Sequence, residues 1–345
     1  MSAAIYYSPE AYSTNGPKLM GRNSAGESFL RGYLKHSRAD SFWVQSDQAE
    51  HARQYVETVK AAGRNEPVKA VSRTNLADLA RAGTVYFPAP NIGDLAWHRA
   101  TFGHGAWSLC GITHTISTAS AMDGLANLLT APVQPWDAVI CTSTGARNVV
   151  ERIFQAHTDY LSDRLGAQRL VYPQLPVIPL GINTQDFVHS SEQREEARRS
   201  WCADESTLVV LFSGRLSFHA KAHPLVMYQA LEQAAATLHD GKKVLLVECG
   251  RHSNAAIAQA FSEAARLACP SVRVLALDGR EGDNYQRAWA GADVFCSLSD
   301  NLQETFGLTP LEAMAAGLPV VVSDWDGYKD TVRDGIDGFR IPTLM

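Results

Sequence analysis

The sequence predicts an α/β protein built from two doubly wound, mostly parallel sheets, and three observations carry that prediction. Apolar runs of strand length alternate with longer helix-period segments through most of the chain, the pattern left by parallel strands whose crossover helices cover both sheet faces. The alternation pauses where Pro173, Pro176 and Pro179 punctuate a stretch with no long periodic segment, then restarts, as at a hinge between domains. A chain of 345 residues, 46% hydrophobic, exceeds one typical domain and can fill two cores.

Element by element, the first half offers strands at 3–7, 41–44, 84–87, 108–112 and 138–141, and helices at 25–36, 48–61, 76–81, 119–129 and 144–164. The second half offers strands at 208–212, 243–247, 272–275, 293–299 and 320–323, and helices at 224–238, 254–268 and 284–290. The charged run 192–199 reads as a solvated helix face. The expected domains are 1–178 and 179–345.

Composition excludes several classes. A net charge of -5 and a pI near 6.1 argue against a nucleic-acid partner, which would call for a basic patch. None of the six cysteines forms a C-x-x-C pair, so a zinc or thioredoxin-type motif is not expected. Several sit in apolar runs as buried thiols, which suits a reducing compartment. The first residues lack the basic-then-apolar order of a signal peptide. No apolar run approaches ~20 residues. A peripheral membrane contact stays open.

The densest chemistry lies between the strands at 293–299 and 320–323. The intervening segment, Glu304-Thr-Phe-Gly-Leu-Thr-Pro-Leu-Glu312, leads into Ala-Met-Ala-Ala-Gly317. Strand, loop, helix and strand in that order is where open parallel sheets bind ligands. Thr309 is expected to cap the helix, with Pro310 at its first position. The helix should end before Gly317, with Pro319 preventing continuation. Free N–H groups at the helix start favour an anionic or hydroxyl-rich ligand, and Gly307 lets one approach the main chain. Thr309 and Glu312 also have capping-box spacing, so Glu312 reads equally as a cap and as a ligand-binding residue. Glu304 has no such local role.

Glu304 and Glu312 with Phe306-Gly307 between them, followed by Ala-Met-Ala-Ala-Gly317, resemble the signature of retaining glycosyltransferases of the GT-B fold, family 4 type. The resemblance implies two Rossmann-like domains facing a cleft. It implies that Glu304 holds donor-sugar hydroxyls, that Glu312 holds the nucleotide ribose, and that Phe306, Gly307 and Leu308 line the donor site. Gly214-Arg215-Leu216 followed by Lys221 resembles the family's diphosphate pair. Two such cations would stabilise the charge that develops on a departing nucleoside diphosphate. The glycine usual after that lysine is Ala222 here.

In the first half, residues 21–30 lie where a phosphate-contacting turn between strand and helix is expected. They match neither G-x-G-x-x-G nor a P-loop. They resemble the family's glycine loop, with Gly26 the best match. His114, at the end of a predicted strand, resembles a histidine that the family places near the donor sugar; His104 is a weaker candidate. Neither histidine has metal-ligand spacing to carboxylates, so no metal and no cofactor are expected. Asp326 and Asp330 stand where the family has Gly-Gly and then Glu, and the base is expected near residues 277–280.

The implied activity is metal-independent transfer of a hexose-type sugar from a nucleotide-diphosphate sugar to a glycan, lipid-linked or small-molecule acceptor, in the cytoplasm. A GT-B epimerase or hydrolase, or a non-catalytic nucleotide-sugar-binding remnant, is the alternative. A nicotinamide dehydrogenase is disfavoured by the missing glycine fingerprint. The family's further C-terminal helices are expected to be missing after residue 341.

Overall fold

The computed structural model describes residues 3–14, 21–72, 74–219, 221–239, 241–301 and 304–343. The last two residues of the expected early stop, 344 and 345, lie outside them. The chain divides into two compact units, Met1–Ile182 and Asn183–Met345.

The first unit is a six-stranded sheet of β1 (Ala4–Tyr6), β2 (Phe42–Gln45), β3 (Val68–Val71), β4 (Thr84–Tyr86), β5 (Ser108–Ile112) and β6 (Ala138–Ile140). Its order is β3-β2-β1-β4-β5-β6, with every pairing parallel. The helices are α1 (Pro9–Tyr12), α2 (Gly21–His36), α3 (Ala49–Ala61), α4 (Leu79–Ala82), α5 (Gly93–Ala100), α6 (Ala119–Ala126) and α7 (Thr144–Leu165). Strand direction of winding reverses between β1 and β4, the switch point at which doubly wound sheets take ligands. One core face gathers Val85, Leu109, Val139 and Phe154; the other gathers Ile5, Leu30, Phe42 and Tyr55.

The second unit opens with α8 (Ser191–Ser200) and alternates β7 (Thr207–Ser213), α9 (Leu225–Thr237), β8 (Lys243–Cys249), α10 (Ala255–Ala268), β9 (Arg273–Leu277), α11 (Asn284–Gly291), β10 (Val294–Ser297), α12 (Leu308–Ala315), β11 (Val320–Ser323), α13 (Tyr328–Thr331) and β12 (Gly338–Ile341). The sheet order is β12-β11-β10-β7-β8-β9, again all parallel. Its switch point lies between β7 and β10. Val210, Phe212, Leu246 and Phe261 fill the face under α9 and α10.

The predicted α/β class holds in both units, with corrections at particular elements. The expected turn at 21–26 is helical, part of α2. Its Gly26 has a packing reason: a Cβ there would stand 1.9 Å from the Ala11 carbonyl oxygen, so only glycine lets α2 close onto α1. The helix expected at 76–81 is a 3₁₀ turn, Leu76–Asp78, followed by the short α4, which Gly83 stops in the left-handed region. Five elements went unread: the edge strands β3 and β12, and the helices α1, α5 and α13. All six thiols are free, and Cys202 is exposed. No helix among the described residues is long and apolar enough to cross a membrane.

A buried ion pair organises the amino edge of the first sheet. Arg99 on α5 reaches Asp137 through two bonds of 2.6 and 2.7 Å, and neither side chain is exposed. Asp137 also accepts from the backbone N–H groups of Leu109 and Gln134, each at 2.8 Å. The carboxylate therefore meets four donors, the condition under which a buried charge is tolerated.

Candidate active site

The site of the second unit is assembled from loops that leave the carboxyl ends of β7, β10 and β11, around the switch point. β7 ends at Ser213, and Gly214 follows at φ 154. The next loop crosses tightly: a Cβ on Gly250 would lie 1.8 Å from the Gly214 carbonyl oxygen. Beyond it, Lys221 turns back and pairs with Glu304 from the loop after β10. Ser299 ties the two loops, donating to the Lys221 carbonyl at 2.8 Å and standing 3.5 Å from a Glu304 carboxylate oxygen. Ser323, at the end of β11, donates to the Ser299 carbonyl in turn.

Lys221 and Glu304 are largely covered, with side chains 14% and 12% exposed. Burial works against the Lys221 charge, but the Glu304 carboxylate outweighs it and holds the lysine pKa above its ordinary value. Arg215 is exposed at the strand end, close enough for its positive charge to act on Lys221. The two cations assigned from sequence thus share one neighbourhood with Glu304.

At the helix that follows, the expected cap is overturned. α12 starts at Leu308, with Gly307 at the cap position, φ 81. Thr309 and Pro310 lie inside the helix. A Cβ on Gly307 would meet the Tyr328 ring at 2.1 Å, so that glycine is required both by its backbone and by the ring over it. The fully buried Tyr328 is anchored by Ser297 at 3.0 Å. Phe306 is buried, and Leu308 half-buried. At its other end α12 closes as expected: Leu318 N–H bonds back to the Ala313 carbonyl at 2.9 Å and Gly317 sits at φ 78.

With the cap moved to Gly307, Glu312 has no capping-box partner. Its carboxylate instead accepts from the Tyr285 hydroxyl of α11 at 3.0 Å. Burial pushes its pKa up to about 7, while the Tyr285 bond and Lys221 pull the other way. The loop at 277–280 is held by Asp278, bonded to the Arg280 guanidinium at 2.7 Å and, through its carbonyl, to the Asn284 amide at 3.1 Å.

Gly26 and His114 belong to the first unit. His114 follows β5 and lines a cavity of about 140 Å³ with Ser8, Glu10, Ala11, Arg22 and Pro88. These residues come from segments after β1, β4 and β5 and from the first turn of α2, at that sheet's own switch point. Desolvation, reinforced by Arg22, lowers the His114 pKa to about 4, so the ring is neutral at pH 7. His104 is exposed on the loop before β5, at the opposite edge of the sheet, and joins neither site.

Sequence reasoning missed Tyr285, Ser299, Tyr328 and Glu248. Glu248 lies 2% exposed in β8 and accepts from the Tyr228 hydroxyl at 2.6 Å; burial pushes its pKa up to about 7. A glutamate after Lys243-Val-Leu-Leu-Val247 was the available signal. Among the described residues no cluster of three or more His, Cys, Asp or Glu side chains could hold a metal ion.

Comparison with known proteins places this geometry. The model of the family "Glycosyl transferases group 1" matches residues 193–343. A D-inositol 3-phosphate glycosyltransferase from Actinosynnema mirum is 30% identical over 241 residues, 67% of this chain and 54% of that protein. A phosphatidyl-myo-inositol mannosyltransferase from Mycobacterium leprae is 46% identical over 55 residues, 16% of this chain and 14% of that one. The chain spans about half the length, or less, of such relatives. Among solved structures, Anabaena HepE in complex with UDP superposes with a TM-score of 0.63 at 16% identity, covering 99% of this chain and 86% of that one. The lipopolysaccharide outer core galactosyltransferase WaaB gives 0.56 at 14% identity, covering 99% and 86%. The two parallel six-stranded sheets are those of the GT-B glycosyltransferase fold, and on it residues 193–343 match the glycosyl transferases group 1 family.

Proposed function

We propose that the protein is a retaining glycosyltransferase, moving a hexose-type sugar from a nucleotide-diphosphate sugar to a hydroxyl of a glycan, lipid-linked or small-molecule acceptor. The observation that carries this reading is the covered Lys221–Glu304 pair at the β7/β10 switch point, with Arg215 and Glu312 beside it. In the proposed reaction the bond from the anomeric carbon to the diphosphate oxygen breaks with its electron pair going to phosphate. Arg215 and Lys221 stabilise that charge, without need of a metal. The acceptor oxygen bonds the same face of the anomeric carbon, and its proton passes to the leaving phosphate.

Glu304 would hold sugar hydroxyls, Glu312 the ribose, and Gly307 the space for the donor at the start of α12. The first unit would take the acceptor, with neutral His114 near the transferred sugar. Nucleotide sugars are made in the cytoplasm, which is where the reaction is proposed. The UDP and UDP-glucose complexes of the HepE neighbour make uridine donors the first to test.

The test is thermal melting of the whole chain with UDP, GDP, ADP and their hexose conjugates. One nucleotide family is expected to raise the melting temperature, by about 2.7 kcal/mol of added stability at a hundredfold excess over Kd. Arg215→Ala should abolish the shift. A folded protein that responds to none of them overturns the proposal.

A further inference from the structure

The Glu312 carboxylate has an unusual setting. The residue is 7% exposed. Oε2 accepts from the Tyr285 hydroxyl, and Oε1 has no hydrogen-bond partner among the described residues. Oε1 is not among the fully buried unpartnered atoms, so this oxygen stays accessible for a ligand hydroxyl to bond. Tyr285 is itself fixed from two sides. Its ring meets Trp289 edge-on at 5.9 Å. It also packs beneath the 277–280 loop, where a Cβ on Gly279 would lie 3.6 Å from the ring. One aromatic side chain therefore connects the loop assigned to the base with the carboxylate assigned to the ribose.

We infer that Tyr285 is a positioning residue for nucleotide recognition: its hydroxyl ties down one oxygen of Glu312 so that the other is presented to the ribose hydroxyls. This rests on the nucleotide-sugar reading above. The phenol donates to Oε2, a ribose hydroxyl donates to Oε1, and no proton changes hands. Without the tether the carboxylate can rotate away from the ribose, and the ligand loses a charge-assisted bond while keeping its contacts to base and phosphate. Tyr285 thereby becomes a determinant of ribo- over deoxyribonucleotides.

The experiment is calorimetric titration of the full chain with UDP, 2′-deoxy-UDP and 3′-deoxy-UDP, for the wild type, Tyr285→Phe and Glu312→Gln. The wild type is expected to prefer UDP over the weaker deoxy compound by about tenfold, the value of one hydrogen bond to a charged group. Glu312→Gln should lose most of the preference, since it removes the charge that strengthens the ribose bond. Tyr285→Phe keeps the ring and its packing, and should lose most of the same preference while its affinity for the deoxy compound stays unchanged. A merely structural tyrosine would weaken all three nucleotides alike. If Tyr285→Phe retains the wild-type ratio while Glu312→Gln loses it, the inference fails and the ribose reading stands. A wild type that binds UDP with no preference removes the ribose role of Glu312 and the inference with it. A wild type that binds neither UDP, GDP nor ADP overturns both this inference and the proposed function. Should Tyr285→Phe melt early, Tyr285→Trp, which keeps an aromatic ring but misplaces its donor, gives the same comparison.

Discussion

At the scale of single residues, what was legible in the sequence was what a local string can encode. Glu304, Gly307 and Glu312 stand in one short segment, so their spacing suggested a site, whereas Arg215 and Lys221, both after β7, were joined to it only through the family resemblance. Tyr285 and Ser299 act through partners distant in sequence, and nothing in their own neighbourhoods marks them. Glu248 lies between these cases: a lone carboxylate in an apolar strand is visible, but its tyrosine partner is not. Its consequence for pH is direct. The folded pKa is about 7 against an ordinary 4.5, with burial the leading cause, so between those values the folded state holds a proton that the unfolded chain has released. Stability from this group is therefore highest below about 4.5, falls as pH rises toward 7 and stays low above it. Glu312, raised to about 7 as well, adds a slope of the same sign. Glu248→Gln is expected to gain on the wild type in melting temperature from pH 5 to about pH 7 and to level off above that; a difference that does not change with pH would refute the assignment.

At the scale of elements, periodicity found the buried strands and long helices because their side chains repeat against a core. It missed β3 and β12, which are short edge strands with one neighbour each, and α5, whose start is hidden behind the prolines and glycine at 88–93. The capping expectation at Thr309 failed because Gly307, held under Tyr328, begins the helix earlier than any side-chain signal. A true capping box exists at α8, where Ser190 accepts from Gln193 N–H and the Gln193 side chain accepts from Ser190 N–H at 2.8 Å. Urea unfolding should separate the two: Ser190→Ala is expected to cost about 1 kcal/mol and Thr309→Ala less than about 0.5 kcal/mol. Equal costs would restore Thr309 as a cap.

At the scale of the whole molecule, each unit has its own sheet, its own switch point and its own core. Calorimetric melting is expected to resolve two transitions. Asp137→Ala leaves Arg99 buried and unpaired, a loss of about 3–5 kcal/mol. It should lower the transition of the first unit by roughly 10 °C and leave the other in place, while UDP should raise only the second. A single transition that both perturbations move would show the units melting as one. Domain number followed from length and from the proline pause, since both are properties of the chain. The placement of Gly26 inside a helix did not, because the contact that demands a glycine there comes from the carbonyl of another helix.

The Lys221–Glu304 pair has a bearing on selectivity. In the unliganded protein each charge is the other's stand-in. A ligand that offers only a diphosphate draws away the lysine and strands a covered carboxylate; one that offers only a sugar does the reverse. The intact nucleotide sugar proposed as donor would replace both partners at once. Such a site works like a lock that takes two keys turned together, and in it the whole donor should bind more tightly than its separated halves would suggest.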